Sequence, residues 1–338
     1  MIECIFTLDY EIYGDGQGAL RSLVYEPAEQ LRALFKRRGL RFVNFVEVAE
    51  FQKIDEFRSD PAIDSVKRQI RELHVDGFET ALHLHPQWCN AKYDAGKWLL
   101  DSSEYNLCRL SKSRIAEIVD RSLDYLRLLL GDPRFVPLSF RAGNWLFQPT
   151  QPAARVLAER GLRVDSSVFK GGLLHNHALD YRRSSENGLY WKFEADVCSP
   201  DPSGAMIEVP IHVRMVPFWQ LATSKRTAFK NSFASSSPGI KRKVNRARDL
   251  LRFRYPLKLD FCRMTLDELT SAMGQFIKED AADPRTFRPV VTIGHTKDLF
   301  DFETIEGFLT YLESNGVRVS TFVDVYPKLA RAELEQTA

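Results

Sequence analysis

The order of elements along the chain predicts an α/β fold built on a parallel sheet. Three observations carry that expectation. Short apolar runs alternate with helical patterns from end to end. Imidazole and charged groups concentrate where those runs stop. A length of 338 residues at 44% hydrophobic content suffices for a large buried core. Strand, helix, strand in regular alternation implies parallel pairing with right-handed crossovers, which a barrel and a doubly wound sheet both satisfy.

Taken in order, residues 2–8 read as a strand, 27–38 as a helix with Leu31, Leu34 and Phe35 on one face, and 41–46 as the next strand. Asp60-Pro61 is a cap followed by proline in the first turn, and opens a helix to about residue 74. A third strand covers 80–84. A Trp-rich loop leads to a long amphipathic helix over 113–130. A strand at 137–141, a helix at 150–160 stopped by Gly161, and a strand at 162–165 follow. Thr265-Leu266-Asp267-Glu268 is a capping box that opens a helix to about residue 280. A strand at 289–294, a helix at 302–315 and a last strand at 317–321 complete the series.

In both architectures functional groups belong at the carboxyl ends of strands. Asp9, Glu11, His83, His85, Arg141, Asp165 and His295 all fall there. Residues i and i+2 of an extended chain point to one side, so Asp9 and Glu11 share a direction, as do His83 and His85. Two imidazoles and one carboxylate suffice for a divalent metal with open positions, leaving the other carboxylate free as a base. Either pair alone also reads as a hydrogen-bonded strand histidine or a strand-end turn former. The four together favour a site.

The composition narrows the setting. Five scattered cysteines without a CxxC suit reduced thiols in a cytosol better than a disulfide framework. The first residues carry an acid where a signal peptide is basic, and no apolar run approaches 18 residues.

The ordered series Thr7-Leu8-Asp9-Tyr10-Glu11, His83-Leu84-His85-Pro86, Ser139-Phe140-Arg141-Ala142-Gly143-Asn144-Trp145, Asp165-Ser166-Ser167 and Ile293-Gly294-His295 resembles the polysaccharide deacetylase family. That family is also called the NodB homology domain or carbohydrate esterase family 4. The resemblance spans residues 2 to 321, with specific motifs over about a tenth of it. It implies a distorted (β/α) barrel, often seven-stranded, that removes N- or O-acetyl groups from glycans with a divalent metal, most simply Zn²⁺.

The family's first motif usually reads Thr-Phe-Asp-Asp, with a base followed by a metal ligand. Asp9 matches the base and Tyr10 replaces the ligand, which leaves Glu11 as the substitute, or the two roles exchanged. The second motif commonly has histidines four apart; here they are two apart, and Gln87 stands at the fourth position. The resemblance makes His83 and His85 ligands, Arg141 the residue that orients the base, and Trp145 a wall for the acetyl methyl. It makes His295 a proton donor to the leaving group, for which a carboxylate such as Asp165 would keep the imidazolium charged.

Trp88 and Trp98, with Tyr93 and Tyr105, form a candidate glycan platform, because aromatic rings stack on the C–H faces of sugars. His175-Asn176-His177 is a second HxH pair, but flanking glycines suggest a surface loop. A basic insertion at about 220–260 holds eleven Lys or Arg against one acid, Asp249, between Lys225 and Lys258, within a chain of net charge +2. Such a run is either a solvated face or a phosphate-binding site. The phosphate would be that of a nucleotide-sugar or of a polyprenyl-linked glycan at the membrane face. Nucleic acid is disfavoured, because no binding motif accompanies the charge.

The expectation is therefore a single-domain, metal-dependent carbohydrate deacetylase in a bacterial cytoplasm, acting on a surface-glycan precursor. Its competitors are a metallohydrolase for another amide or a phosphoester, and a catalytically silent glycan-binding relative. Substrate identity and oligomeric state are not written in the sequence.

Overall fold

The structure, a computed structural model, describes residues 1–221, 225 and 254–336. Most of the basic insertion lies outside the described residues. Apart from two short hairpins, Lys92–Asp94 with Lys97–Leu99 and Leu173–Leu174 with Leu179–Asp180, the strands among the described residues are β1 (Ile2–Tyr10), β2 (Val43–Glu47), β3 (Glu79–Leu84), β4 (Ser139–Ala142), β5 (Val164–Asp165), β6 (Trp191–Phe193), β7 (Met206–Glu208), β8 (Val213–Val216), β9 (Tyr255–Lys258), β10 (Arg288–His295) and β11 (Arg318–Ser320). The main helices are α1 (Glu26–Arg37), α2 (Val48–Phe57), α3 (Ile63–Val75), α4 (Lys112–Leu130), α5 (Gln151–Glu159), α6 (Leu266–Ala282), α7 (Phe302–Ser314) and α8 (Phe322–Gln336).

The sheet runs β6-β7-β5-β4-β3-β2-β1-β10, and all pairs are parallel except β6 with β7. Beyond β7, Ile211 bridges in parallel to Phe169 on one side and to Val291 of β10 on the other, which closes the seam at one point. The closed circuit β10, β1, β2, β3, β4, β5, β7 has seven strands and is the distorted barrel expected from the motif resemblance. β1 is buried along all nine residues, as a strand covered on both faces must be.

Local signals set the helix ends. Ser111 caps α4 by accepting from Arg114 N, Gly131 ends it at φ +71°, and Ile115, Ile118, Val119, Leu123, Leu126 and Leu129 form its buried stripe. The capping box of Thr265 and Glu268 is formed.

Three features were not anticipated. α2 starts directly from β2 without glycine or proline between, Glu47 serving as its N-cap by accepting from Glu50 N. α8 carries Pro327 inside it, which reads in sequence as a stop. The seventh barrel strand is β7 with Ile211, whereas the strand expected at 317–321 is β11, which pairs only with Glu3–Ile5 of β1.

Candidate functional site

The carboxyl ends of β1, β3, β4 and β10 converge, and each brings one piece of the site. β1 carries Asp9 near its end and Glu11 just beyond it, 2% and 5% exposed, so both carboxylates need partners. Those partners come from different strands, and this separates two residues that the sequence left interchangeable.

Glu11 faces the histidines. Its Oε2 lies 3.1 Å from His85 Nε2 and 3.5 Å from His83 Nε2, while Oε1 accepts from Lys297 Nζ at 2.7 Å. One ligand atom each from Glu11, His83 and His85 lies within 4.8 Å of the others. His83 Nδ1 lies 2.9 Å from the Arg141 carbonyl, and donation to it leaves the Nε2 lone pair for a ligand role. His85 Nδ1 is 3.2 Å from the amides of both Gln87 and Asn144, and Gln87 Oε1 is otherwise buried without a partner. The amide orientation that offers an oxygen to His85 Nδ1–H likewise frees Nε2.

Charge tells the same story. Burial disfavours the Glu11 carboxylate, yet Lys297 and His85 outweigh it and hold its pKa well below the usual range. Burial also opposes an imidazolium at His83, but Asp9 and Glu11 overcome it and lift its pKa to about 9. The pocket thus demands positive charge between these side chains, which a divalent cation would satisfy. The donor set, two neutral imidazoles and a carboxylate, suits Zn²⁺-like ions.

Asp9 faces the guanidinium. Arg141 Nη1 donates to Asp9 Oδ1 at 2.6 Å, Nη2 to Thr7 Oγ1 at 3.0 Å and Ser166 Oγ at 3.2 Å, and Nε to the Ser166 carbonyl at 2.9 Å. Its guanidinium carbon stands 4.1 Å from the Phe45 ring centroid. So partnered, Arg141 is wholly buried. Burial would raise the Asp9 pKa, but Arg141, then His83 and His295, lower it.

His295 Nε2 lies 3.4 Å from Asp9 Oδ2, and its Nδ1 lies 3.6 Å from Asp298 Oδ2, which Arg263 also holds at 2.7 Å. Burial brings the His295 pKa down to about 4 against the pull of Asp9 and Asp298. The imidazolium expected at neutral pH is therefore disfavoured. Asp165, expected as its carboxylate partner, is not within ion-pair distance. It accepts from Ser167 Oγ at 2.7 Å and adjoins Glu208. Burial raises both carboxyls, and Glu208 is held well above the usual range by burial and by the Asp165 charge, so the pair keeps a proton.

The third motif is shaped by a close approach. A Cβ on Gly143 would stand 2.5 Å from the Leu84 carbonyl oxygen and 2.7 Å from the His85 ring, so only glycine lets β4 run past the histidine. Asn144 and Trp145 then take φ of +53° and +59°, a left-handed pair that carries strain and turns Asn144 toward His85. Trp145 meets the His295 ring edge-on at 6.4 Å.

The aromatic loop divides. Trp98 is half-buried, packs edge-on against Trp88 at 5.0 Å, and lines a cavity of about 540 Å³ with Ile12, Asp60 and Tyr93. Trp88 is wholly buried beneath it, so it is core and not a platform surface. His175 is exposed in a short turn and His177 stacks on Tyr105, in the surface loop that the glycine flanks suggested. Sequence reading missed Lys297, Asp298 and Glu47, and named Lys258 only as the end of the basic run. Glu47 follows an apolar run just as Asp9 does, is raised by burial to about 7, and has a buried Oε2 without a partner among the described residues.

No protein-family model matches the sequence, and no curated relative is detected. The fold is similar to that of a putative polysaccharide deacetylase from Mycobacterium smegmatis, with a TM-score of 0.54 and 13% identity over 98% of this chain and 91% of that one. It is similar to the same degree to a GH57 branching enzyme from Thermococcus kodakaraensis, with TM-score 0.54 and 12% identity over 96% of this chain and 71% of that one. The barrel predicted from the motifs is thus a fold known from solved structures. Because proteins with different names share it, the side chains must choose the chemistry.

Proposed function

We propose that this protein is a metal-dependent carbohydrate deacetylase, cleaving an N- or O-acetyl group from a sugar. The observation that carries the reading is the buried Glu11–His83–His85 triad beside an Asp9 that Arg141 keeps ionised. Zn²⁺ is the simplest occupant, held by Glu11 Oε2, His83 Nε2 and His85 Nε2; when bound it would polarise the acetyl carbonyl and lower the pKa of a water.

The chain's own groups supply the rest. Asp9 takes the proton of the attacking water, and its Arg141 clamp fixes the oxygen that does so. His295 Nε2, 3.4 Å from Asp9, passes that proton to the departing nitrogen or alkoxide oxygen, and Asp298 steadies the transient imidazolium. A neutral His295 suits this relay, because it can accept before it donates. Trp145 walls the acetyl methyl, and Trp98 offers a stacking face to a neighbouring sugar.

The wider setting belongs to the same reading: a precursor of a bacterial surface glycan, of O-antigen or capsule type, linked to a nucleotide or polyprenyl carrier, in the cytoplasm or at the inner membrane face. Its support is five unpaired cysteines and the basic stretch between Lys225 and Lys258. Among the described residues, no helix is long and apolar enough to cross a membrane.

The test is acetate release from N- and O-acetylated sugars with parallel metal analysis. His83→Ala is expected to lose both stoichiometric metal and turnover. A variant that keeps both would overturn the site, and a wild-type protein that holds metal yet releases no acetate would overturn the reaction.

A further inference from the structure

Lys258 ends β9, the strand that leaves the basic insertion, and β9 pairs antiparallel with β8 so that Lys258 sits opposite Val213. This register carries its ammonium onto the rim of the site. Nζ stands 3.0 Å from the Trp145 ring centroid and 4.2 Å from that of Phe169. Trp145 is the ring that meets His295, so the cation lies one aromatic layer from the reacting groups. Among the described residues no carboxylate is within ion-pair distance of it. The charged groups that act on it are Asp260, Arg263, Asp9 and Arg141, two acids and two cations that largely cancel.

A half-buried ammonium held on aromatic faces without an anion is costly, because aromatic contact replaces only part of its lost hydration. Burial accordingly draws its pKa down to about 7. Asp9 and Glu11 are already occupied by Arg141 and Lys297. An incoming anion is thus the partner this cation lacks among the described residues.

We infer that Lys258 is a specificity-determining residue, which receives a negatively charged substituent, carboxylate or phosphate, on the acetylated sugar. The inference rests on the deacetylase reading for the identity of the sugar, but the charge argument is independent of it. It also separates Lys258 from the rest of the basic insertion: one cation is built into the site, whatever the remaining ten do.

The experiment compares calorimetric binding of N-acetylglucosamine, its 6-phosphate and its 6-carboxylate (the uronic acid) to the metal-loaded wild type and to Lys258→Met, followed by acetate release. At least one anionic sugar is expected to bind the wild type tenfold or more tighter than the neutral one, and the stronger of the two identifies the substituent. In Lys258→Met that preference should collapse at least tenfold, through KM with kcat little changed for the anionic sugar. Wild-type binding that does not favour either anion overturns the proposal, as does a preference that survives the substitution. An equal fall in kcat on charged and neutral sugars also overturns it, because Lys258 would then act on the chemistry. Preferential binding without any acetate release would sink the deacetylase reading while leaving the charge recognition standing.

Discussion

Asp9 and Asp165 occupy equivalent places, each near the carboxyl end of a strand of the same barrel, and each is buried. Their nearest charged partners differ. Asp9 receives a guanidinium at 2.6 Å, whereas Asp165 receives a second carboxyl, that of Glu208. The first is therefore held ionised and ready to accept a proton, and the second shares one it already has. Burial is common to both, so the partner decides which acid can serve as a base.

The sharpest way to break this comparison is to neutralise each acid in turn. Asp9→Asn is expected to retain metal on Glu11, His83 and His85 but to lose turnover by about 10²–10⁴-fold, the usual worth of a positioned base. Asp165→Asn should stay within about threefold of wild type, well under that range. Steady-state kinetics with metal analysis decides the matter; comparable losses in the two variants would place Asp165 in the reaction after all.

Removing the guanidinium tests the cause and not the outcome. Arg141→Met leaves Asp9 buried and unpaired, which should destabilise the fold by about 3–5 kcal/mol in denaturant unfolding. It should also raise the pH at which any remaining activity appears, because the Asp9 pKa is then set by burial. An unchanged midpoint would mean that the pair contributes nothing net.

Gly143→Ala probes the same strand from the histidine side. Its Cβ must displace the Leu84 carbonyl or the His85 ring, and if His85 is the ligand proposed above, such a displacement should cost about 10- to 100-fold in metal affinity. Competition with a chelator would measure it.

The smallest effect belongs to Glu208. Its folded pKa lies above the unfolded value of about 4.3, so at higher pH the native state binds more protons than the unfolded one. That contribution to stability is complete below about 4.3 and is lost as pH rises above it. Glu208→Gln should flatten the decline of Tm as pH rises above about 4.3 without changing turnover; a wild-type decline that the substitution leaves unchanged would remove the shared proton from the account.

Much of this molecule follows from local rules. The i, i+2 spacing of Asp9 with Glu11 and of His83 with His85, the apolar runs before them, the Ser111 and Thr265 caps and the glycine in Arg141-Ala142-Gly143 each act within a few residues, so sequence determines them. The decisions left to tertiary structure all involve groups far apart in the chain. Arg141 neighbours Asp165 across the β4–β5 pair, yet its head reaches over the barrel interior to Thr7 and Asp9 of β1. Only closure sets those strands face to face. The closing strand is itself hard to read, because β7 is three residues long and Pro210 follows it before Ile211 bridges the seam. For the same reason Lys297 on Glu11, Asp298 on His295, Lys258 on Trp145 and the burial of Trp88 gave no local signal. A charged or aromatic side chain looks alike in sequence whether it meets solvent or a site, and its partner is chosen by packing.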